Sequence, residues 1–179
     1  MNFRQEVKTH NGQVNLVGFS AENHHARILQ ELSLALNKEI VWDMITRNSL
    51  GKPELVSENI CFNWTHSRDA CVLAYSFEMQ VGIDLEFHRA RSLAIAARFF
   101  SAEENMFLRT QVHSDQDRIR EFYRLWCRKE AYFKCRGGAF MGGVLSLSML
   151  ENTVGGVELH DLQGNFPAEH SLCLAASGR

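Results

Sequence analysis

Apolar and polar residues alternate along residues 81–87, and this pattern predicts a β-strand. The odd positions of the segment are apolar, whereas the even positions are Gly82, Asp84 and Glu86. A strand of this kind is expected to bury one of its two faces. Because successive side chains point to opposite faces of a strand, Asp84 and Glu86 are expected on the same face.

A longer period, typical of a helix, runs through residues 118–136 and stops at Gly137-Gly138, a sequence typical of a left-handed helix cap. Glu130 and Lys134 lie one turn apart on this helix, beside its apolar stripe. Lys129 falls inside the stripe, where an ammonium group needs a partner because an unpaired buried charge is costly. We therefore expect the strand and the helix to bring three carboxylates and two lysines to one site.

The other periodic segments complete an α+β fold. A helix is predicted at 21–37, a helical run passes through Leu93 and Phe99, and Ser101 with Glu104 forms a capping box that begins another helix. Strands are predicted near 11–19, 60–65, 70–75, 144–150, 156–160 and 171–176.

The strands at 60–65, 70–75 and 81–87 are expected to form one antiparallel group. In the turn at 47–55, Pro53 should extend Lys52 away from any compact element. The order of elements indicates two halves of similar make-up, residues 1–80 and 81–179, in a single compact unit. Each half would be a helix packed on a small antiparallel sheet.

Composition excludes several classes of protein. The 179 residues are 45% hydrophobic and 22% charged, as in ordinary globular proteins, and the net charge of −2 does not indicate binding to nucleic acid or to a membrane surface. The first residues contain no apolar leader, so we expect a cytoplasmic protein. The five cysteines are odd in number and lack C-x-x-C spacing, which favours reduced thiols over disulfides or a zinc site.

Three carboxylates in one cleft require a compensating charge. Two of them about 4 Å apart repel by roughly 4 kcal/mol at an effective dielectric of about 20, so a cation or a raised pKa is expected. Oxygen ligands favour Mg²⁺ or Mn²⁺, and lysines beside such an ion are typical of phosphoryl-type transfer. Spacing alone leaves another interpretation open: a solvated D-x-E sheet edge and a surface Glu–Lys pair worth a few tenths of a kcal/mol.

Two segments resemble the paired signature of the 4′-phosphopantetheinyl transferases, G-(I/V)-D-x-E and W-x-x-K-E-(A/S)-x-x-K. These are residues 82–86 and 126–134. Residues 51–53, 62–67 and 99–104 extend the resemblance to the larger, surfactin-synthetase-activating type, of which this chain would be a short form. The chain departs from that type in its shorter amino end and in Thr65, where serine is usual.

The resemblance implies transfer of the 4′-phosphopantetheine arm of coenzyme A to a serine of an apo acyl or peptidyl carrier protein, with release of adenosine 3′,5′-bisphosphate. Asp84, Glu86 and Glu130 would hold Mg²⁺, or Mn²⁺. Glu130 would also accept the serine proton, and Lys134 would balance charge on the leaving oxygens. Coenzyme A would lie between the two halves of a monomer.

The resemblance also implies a set of residues that bind coenzyme A. Lys129 would steady the pyrophosphate, and Lys52, next to Pro53, would approach the 3′-phosphate with His66. His66 considered alone would be an ordinary turn histidine. The remaining members of the set, as donors or as a basic group near the nucleotide, are Thr65, Ser67 and Arg27.

Two other functions are compatible with the same residues. One is a non-catalytic module that binds coenzyme A or a carrier protein and descends from such an enzyme. The other is a metal-dependent phosphohydrolase. The arginines Arg89, Arg91 and Arg98 would attract an acidic carrier protein, or they would simply occupy a solvated helical face.

Overall fold

Two four-stranded antiparallel sheets and four helices form the computed structural model, which describes residues 2–89, 94–138, 147–163 and 169–179. The strands are β1 Phe3–Lys8, β2 Gln13–Ser20, β3 Thr46–Arg47, β4 Pro53–Glu54, β5 Cys61–Ser67, β6 Ala70–Ser76, β7 Met79–Phe87, β8 Thr153–Val154, β9 Val157–Leu162 and β10 His170–Gly178. The helices are α1 His24–Leu36, α2 Ala94–Phe99, α3 Ala102–Thr110 and α4 Asp115–Cys135, with a 3-10 turn at Trp42–Met44. The predicted α+β class is confirmed.

The two sheets pack face to face between two helices. The first sheet has the strand order β1-β2-β6-β5 and the second has the order β7-β10-β9-β8. Alternate residues of the first sheet pack on α1 or on the second sheet, as Leu73 and Val72 do. The second sheet likewise contacts the first sheet through Leu174 and α4 through Cys173 and Ala175. Four layers result, in the order α1, first sheet, second sheet, α4.

This layering corrects two expectations about the strand at 81–87. The centre of β7 is buried on both faces, since α4 covers one face and the first sheet covers the other. β7 also does not join β5 and β6 in one sheet, because its backbone partner is β10, with Leu85 opposite Leu172. Alternation within a single strand does not show which strand will be its neighbour.

Local signals located the helices closely. The capping box of α3 is confirmed, since the Ser101 hydroxyl accepts from the Glu104 N–H and the Glu104 carboxylate accepts from the Ser101 N–H. α4 begins earlier than predicted, because Ser114 caps it by accepting from the Asp117 N–H. Gly137 has the expected positive φ of 97° after the helix end.

Other predictions failed or cannot be compared. β1 was not predicted, and residues 147–150 are not a strand, although this segment was expected to be one. Arg91, Leu93 and residues 144–146 lie outside the described residues.

All five cysteines are free thiols. In the part of the chain that the structure describes, no helix combines the length and apolar character needed to cross a membrane.

Candidate active site

A cleft of about 430 Å³ gathers most of the predicted site residues. Its walls come from the β3–β4 hairpin, from β5, from β7 and from α4. Eight predicted residues line it, namely Lys52, Pro53, Thr65, His66, Asp84, Glu86, Glu130 and Lys134. The structure therefore brings the two signature segments and the two upstream segments to one place.

Gly82 allows β7 and α4 to approach closely enough to share this cleft. A Cβ at this position would lie 2.1 Å from the Ala131 carbonyl oxygen and 2.2 Å from the Cys135 nitrogen. These are helix backbone atoms, which have no freedom to rotate away. The strand and the helix therefore touch backbone to backbone, and the carboxylate of Asp84 comes within reach of Lys134.

Lys134 pairs with one oxygen of Asp84. Its Nζ lies 2.6 Å from Asp84 Oδ1 and also donates to the Ile83 carbonyl at 3.3 Å. The Asp84 side chain is buried; its other oxygen, Oδ2, has no N–H or O–H donor among the described residues, and the carboxylate interacts with the buried Cys127 thiol, a weak donor. Asp84 also lines the cleft, so its carboxylate can accept a ligand there.

Glu130 carries a perturbed acid group. Its pKa is raised from 4.5 to about 7, mainly by burial and in addition by the Asp84 and Glu86 carboxylates, while Lys134 opposes the rise. The three acids therefore act on one another electrostatically, as the sequence predicted. A pKa close to neutral is also the value that suits a general base.

The carboxylate oxygens of Asp84, Glu86 and Glu130 are of the type that binds a hard divalent cation, although they are not already arranged as ligands. Within the described ranges, no three His, Cys, Asp or Glu side chains are grouped closely enough to hold a metal ion. A cation such as Mg²⁺ would nevertheless neutralise the charge of the three carboxylates. It would bind the Asp84 oxygen that lacks an N–H or O–H donor among the described residues, and it would favour the ionised form of Glu130. Side-chain reorientation at Lys134 or Glu130 would accompany its binding.

Lys52 occupies a different environment from the one expected. It is buried, and its Nζ donates to Gln80 Oε1 at 3.0 Å and to the Cys135 carbonyl at 3.1 Å. Burial lowers its pKa. The prediction that Lys52 extends away from any compact element is wrong, because its long side chain ties the hairpin to the end of α4. Pro53 lies beside it in β4, opposite Arg47.

The remaining predicted residues of β5 divide between two roles. His66 is exposed in the cleft, and its ring stacks on His24 with a centroid distance of 5.1 Å. The Thr65 hydroxyl oxygen accepts from the Leu85 N–H, and the Ser67 hydroxyl oxygen accepts from the Phe87 N–H. Ser67 does not line the cleft.

The structure does not bring Lys129 or Arg27 to the cleft, which corrects the sequence-based expectation. Lys129 is 1% exposed, and its Nζ lies 2.8 Å from the Glu104 carboxylate and 2.7 Å from the Leu147 carbonyl. Arg27 forms an ion pair with Glu31 at 3.0 Å on the same helix. Lys129 does have the partner that its place in the apolar stripe required, but this partner is inside the protein.

Sequence reasoning did not select seven of the residues that line the cleft as site residues. They are Arg47, Leu50, Gly51, Asn63, Trp64, Leu85 and Gly138. Asn63 and Thr65 are two apart on one strand, so the strand period could have placed Asn63 beside Thr65. Arg47 had a weaker signal, because its position opposite Pro53 depends on the β3–β4 pairing.

Comparison with known proteins identifies the family. Residues 80–176 match the 4′-phosphopantetheinyl transferase superfamily. This segment makes up more than half of the chain and contains the carboxylates and Lys134 of the cleft.

The chain belongs to the 4′-phosphopantetheinyl transferase superfamily.

Curated relatives carry the same family name. The chain is 32% identical over 117 residues to a putative 4′-phosphopantetheinyl transferase of Haemophilus influenzae. This alignment covers 63% of the chain and 48% of the relative. It is 35% identical over 109 residues to HetI of Nostoc sp., with 58% and 44% covered, and 40% identical over 92 residues to AcpT of Escherichia coli, with 50% and 46% covered. The chain thus spans about half the length of the superfamily members that it matches.

Proposed function

We propose that this protein is a 4′-phosphopantetheinyl transferase, a holo-[acyl-carrier-protein] synthase. It would transfer the 4′-phosphopantetheine arm of coenzyme A to a serine hydroxyl of an apo acyl or peptidyl carrier protein and release adenosine 3′,5′-bisphosphate. The observation that carries the proposal is the meeting of Asp84, Glu86, Glu130 and Lys134 in one cleft. The superfamily match and the names of the relatives support the same activity.

Glu130 is the group that would take the serine proton. Without a bound cation its pKa is about 7; a cation would favour the ionised form, and an ionised carboxylate can accept a proton from a hydroxyl within hydrogen-bond reach. The serine oxygen then attacks the β-phosphorus of coenzyme A, and the bond to the bridging oxygen of the pyrophosphate breaks. The bridging oxygen keeps the bond electrons and leaves as part of the 5′-phosphate, so the leaving group is adenosine 3′,5′-bisphosphate.

Lys134 would balance the charge that this departure creates. Its ammonium already lies in the cleft at 2.6 Å from Asp84, so it can donate to a phosphate oxygen after a small rotation. Asp84, Glu86 and Glu130 would hold Mg²⁺, or Mn²⁺. The ion, when bound, would neutralise the pyrophosphate and lower the repulsion between the three acids.

The other wall of the cleft would hold the nucleotide. His66 is exposed there, and Arg47 lies at the rim, where it donates to the Gly51 carbonyl. Both can reach an anionic ligand, whereas Lys52 would first have to leave Gln80 and the Cys135 carbonyl. We therefore place Arg47 with His66 at the 3′-phosphate and give Lys52 a supporting role. Coenzyme A would then lie between similar halves, residues 1–80 and 81–179, of a cytoplasmic monomer.

Incubation with coenzyme A, Mg²⁺ and a panel of apo carrier proteins tests the activity. Intact-protein mass spectrometry should show one carrier gaining the mass of one phosphopantetheine arm, and chromatography should show an equal amount of adenosine 3′,5′-bisphosphate. Chelation with EDTA should abolish both. Folded protein that modifies no carrier in the panel would contradict the proposal.

The two rival functions give different products in the same assay. A phosphohydrolase would release phosphopantetheine without a carrier. A binding module would take up coenzyme A, and calorimetry would then show an affinity unaffected by Mg²⁺. The three carboxylates in the cleft argue against a pure binding module, since without a cation they would repel an anionic ligand.

A further inference from the structure

Three side chains of β5 bind the backbone of β7. β5 is an edge strand of the first sheet and β7 is an edge strand of the second, and side chains of β5 reach the backbone of β7. Asn63 Oδ1 accepts from the Ile83 N–H at 3.1 Å, Thr65 Oγ1 from the Leu85 N–H at 3.2 Å and Ser67 Oγ from the Phe87 N–H at 3.0 Å. We call these three bonds the β5–β7 joint.

The three bonds are spaced regularly, as in a pair of strands, but their acceptors are side-chain oxygens and not backbone carbonyls. Every donor follows its acceptor by 20 residues, so β5 and β7 run in the same direction and alternate residues take part. In antiparallel pairing, the amides on one side of a strand belong to every second residue, so those of Asp84 and Glu86 face β10. The amides at the other edge of β7 donate to side-chain oxygens of β5 instead of to the backbone carbonyls of a neighbouring strand.

We infer that Asn63, Thr65 and Ser67 are positioning residues, which hold the carboxylate strand β7 at a set distance and register from the nucleotide wall on β5. The effect of the joint on catalysis rests on the proposed function, whereas the joint itself does not. It assigns Thr65 and Ser67 to the protein's own backbone, whereas the family resemblance placed them at the nucleotide.

The joint is continuous with the catalytic groups. The backbone of Ile83 bonds to both β5 and α4, since its N–H donates to Asn63 Oδ1 and its carbonyl accepts from Lys134 Nζ. Lys134 in turn pairs with Asp84. A shift of β7 away from β5 would therefore move Asp84 and change the contact that Lys134 makes.

Burial makes the joint sensitive to loss of a single oxygen. Asn63 and Thr65 are 5% and 6% exposed, and Leu85 is 2% exposed. Water therefore cannot easily replace the Thr65 hydroxyl, and a valine there would leave the Leu85 N–H unsatisfied. Serine keeps the acceptor and removes only a methyl group.

Amide hydrogen exchange, measured residue by residue by NMR on the metal-free protein, tests the joint directly. In T65V the Leu85 amide should exchange about tenfold faster or more, because its acceptor is gone, while amides of β10 keep their protection. T65S should restore the slow exchange. T110V is the matched control, since the Thr110 hydroxyl bonds only to the Met106 carbonyl of its own helix.

A functional measurement tests the positioning role. T65V should lower kcat for carrier modification about tenfold or more and should weaken coenzyme A binding in calorimetry, and T65S should recover both. Unchanged Leu85 exchange in T65V, or a uniform rise across β10, would overturn the joint. Faster Leu85 exchange with normal kcat would overturn the positioning role alone.

The outcomes remain separable from the proposed function. If the wild-type protein modifies no carrier, the proposed function fails, whereas Leu85 exchange in T65V and T65S still decides on the joint. If T65V does not fold, S67A serves instead, read at the Phe87 amide with S67T as the restoring variant. Ser67 is not among the residues that line the cleft, whereas Thr65 is, so S67A tests the joint without removing a side chain of the cleft wall.

Discussion

Helix α4 contributes to two clusters of acids and lysines that differ in one respect. The first, which we call the buried pair, joins Lys129 to Glu104 inside the protein. The second, the cleft cluster, joins Lys134 to Asp84 with Glu86 and Glu130 nearby. Both lysines come from the same signature segment, and both have a carboxylate partner within 3 Å.

The buried pair is enclosed by protein, whereas the cleft cluster faces a cavity. The Glu104 carboxylate accepts from the Ser101 N–H at 2.7 Å and from the Met149 N–H at 2.8 Å, in addition to its bond with Lys129. In the cleft cluster, Asp84, Glu86, Glu130 and Lys134 line the cleft, and the pKa of Glu130 is raised. An enclosed network with its hydrogen bonds satisfied can serve stability, whereas a group with a raised pKa on the wall of a cleft is typical of a functional site.

Removing each lysine should separate the two clusters most strongly. K129M leaves Glu104 charged and buried, so we expect the free energy of unfolding to fall by about 3–5 kcal/mol. K134M should cost less, because the Lys134 side chain is 24% exposed, compared with 1% for Lys129, and Asp84 lines a cleft. Urea unfolding followed by circular dichroism measures both, and equal losses would contradict the distinction.

A pair of Glu→Gln variants should give opposite results. E130Q removes the proposed base and one cation ligand, so transfer should fall about a hundredfold or more with little loss of stability. E104Q should instead lower stability, because Lys129 loses its counter-charge, and the folded fraction should keep most of its activity. Steady-state transfer and thermal unfolding of both variants check this, and near-normal turnover in E130Q would refute the role of Glu130.

Gly82 offers a smaller perturbation, which acts at the contact between β7 and α4. G82A should force α4 away from β7 and lower the free energy of unfolding by about 1–3 kcal/mol, as overpacking does. Catalysis should also fall, since Glu130 and Lys134 move with the helix. Gly178 is the matched control, because a Cβ there would meet nothing within 4 Å. A G82A protein as stable and active as G178A would show that the close approach is unimportant.

The pH dependence of stability should be the smallest effect. In the folded protein without metal, the pKa of Glu130 is raised to about 7 from 4.5, so the folded state binds this proton more tightly than the unfolded state does. Stability should therefore fall as pH rises from about 4.5 to about 7.

E130Q should lose this part of the pH dependence, whereas E104Q should keep it. Thermal unfolding in EDTA across this pH range measures the slope. Saturating Mg²⁺ should reduce it in the wild-type protein, since a bound cation favours the ionised acid. A wild-type slope identical to that of E130Q would contradict the raised pKa.

The local parts of this site were predictable from sequence. Periodicity located β7 and α4, and the capping box located the start of α3, because each signal depends on residues only a few positions apart. The same reasoning placed Asp84 and Glu86 on one face. It could not separate Lys129 from Lys134, because neither the turn at Ser101 nor the segment at Met149 is close to α4 in sequence.

In the amino-acid sequence, the resemblance of two segments indicated the family, periodicity indicated the α+β class, and residue types at regular spacings singled out the acids and Lys134. The packing of the folded chain was needed to show that Lys129 pairs with Glu104, that Lys52 is buried against the end of α4 and that β7 pairs with β10. These outcomes depend on which distant atoms fill each hydrogen-bonding position. That choice is made when the two sheets pack together, and no local pattern contains it.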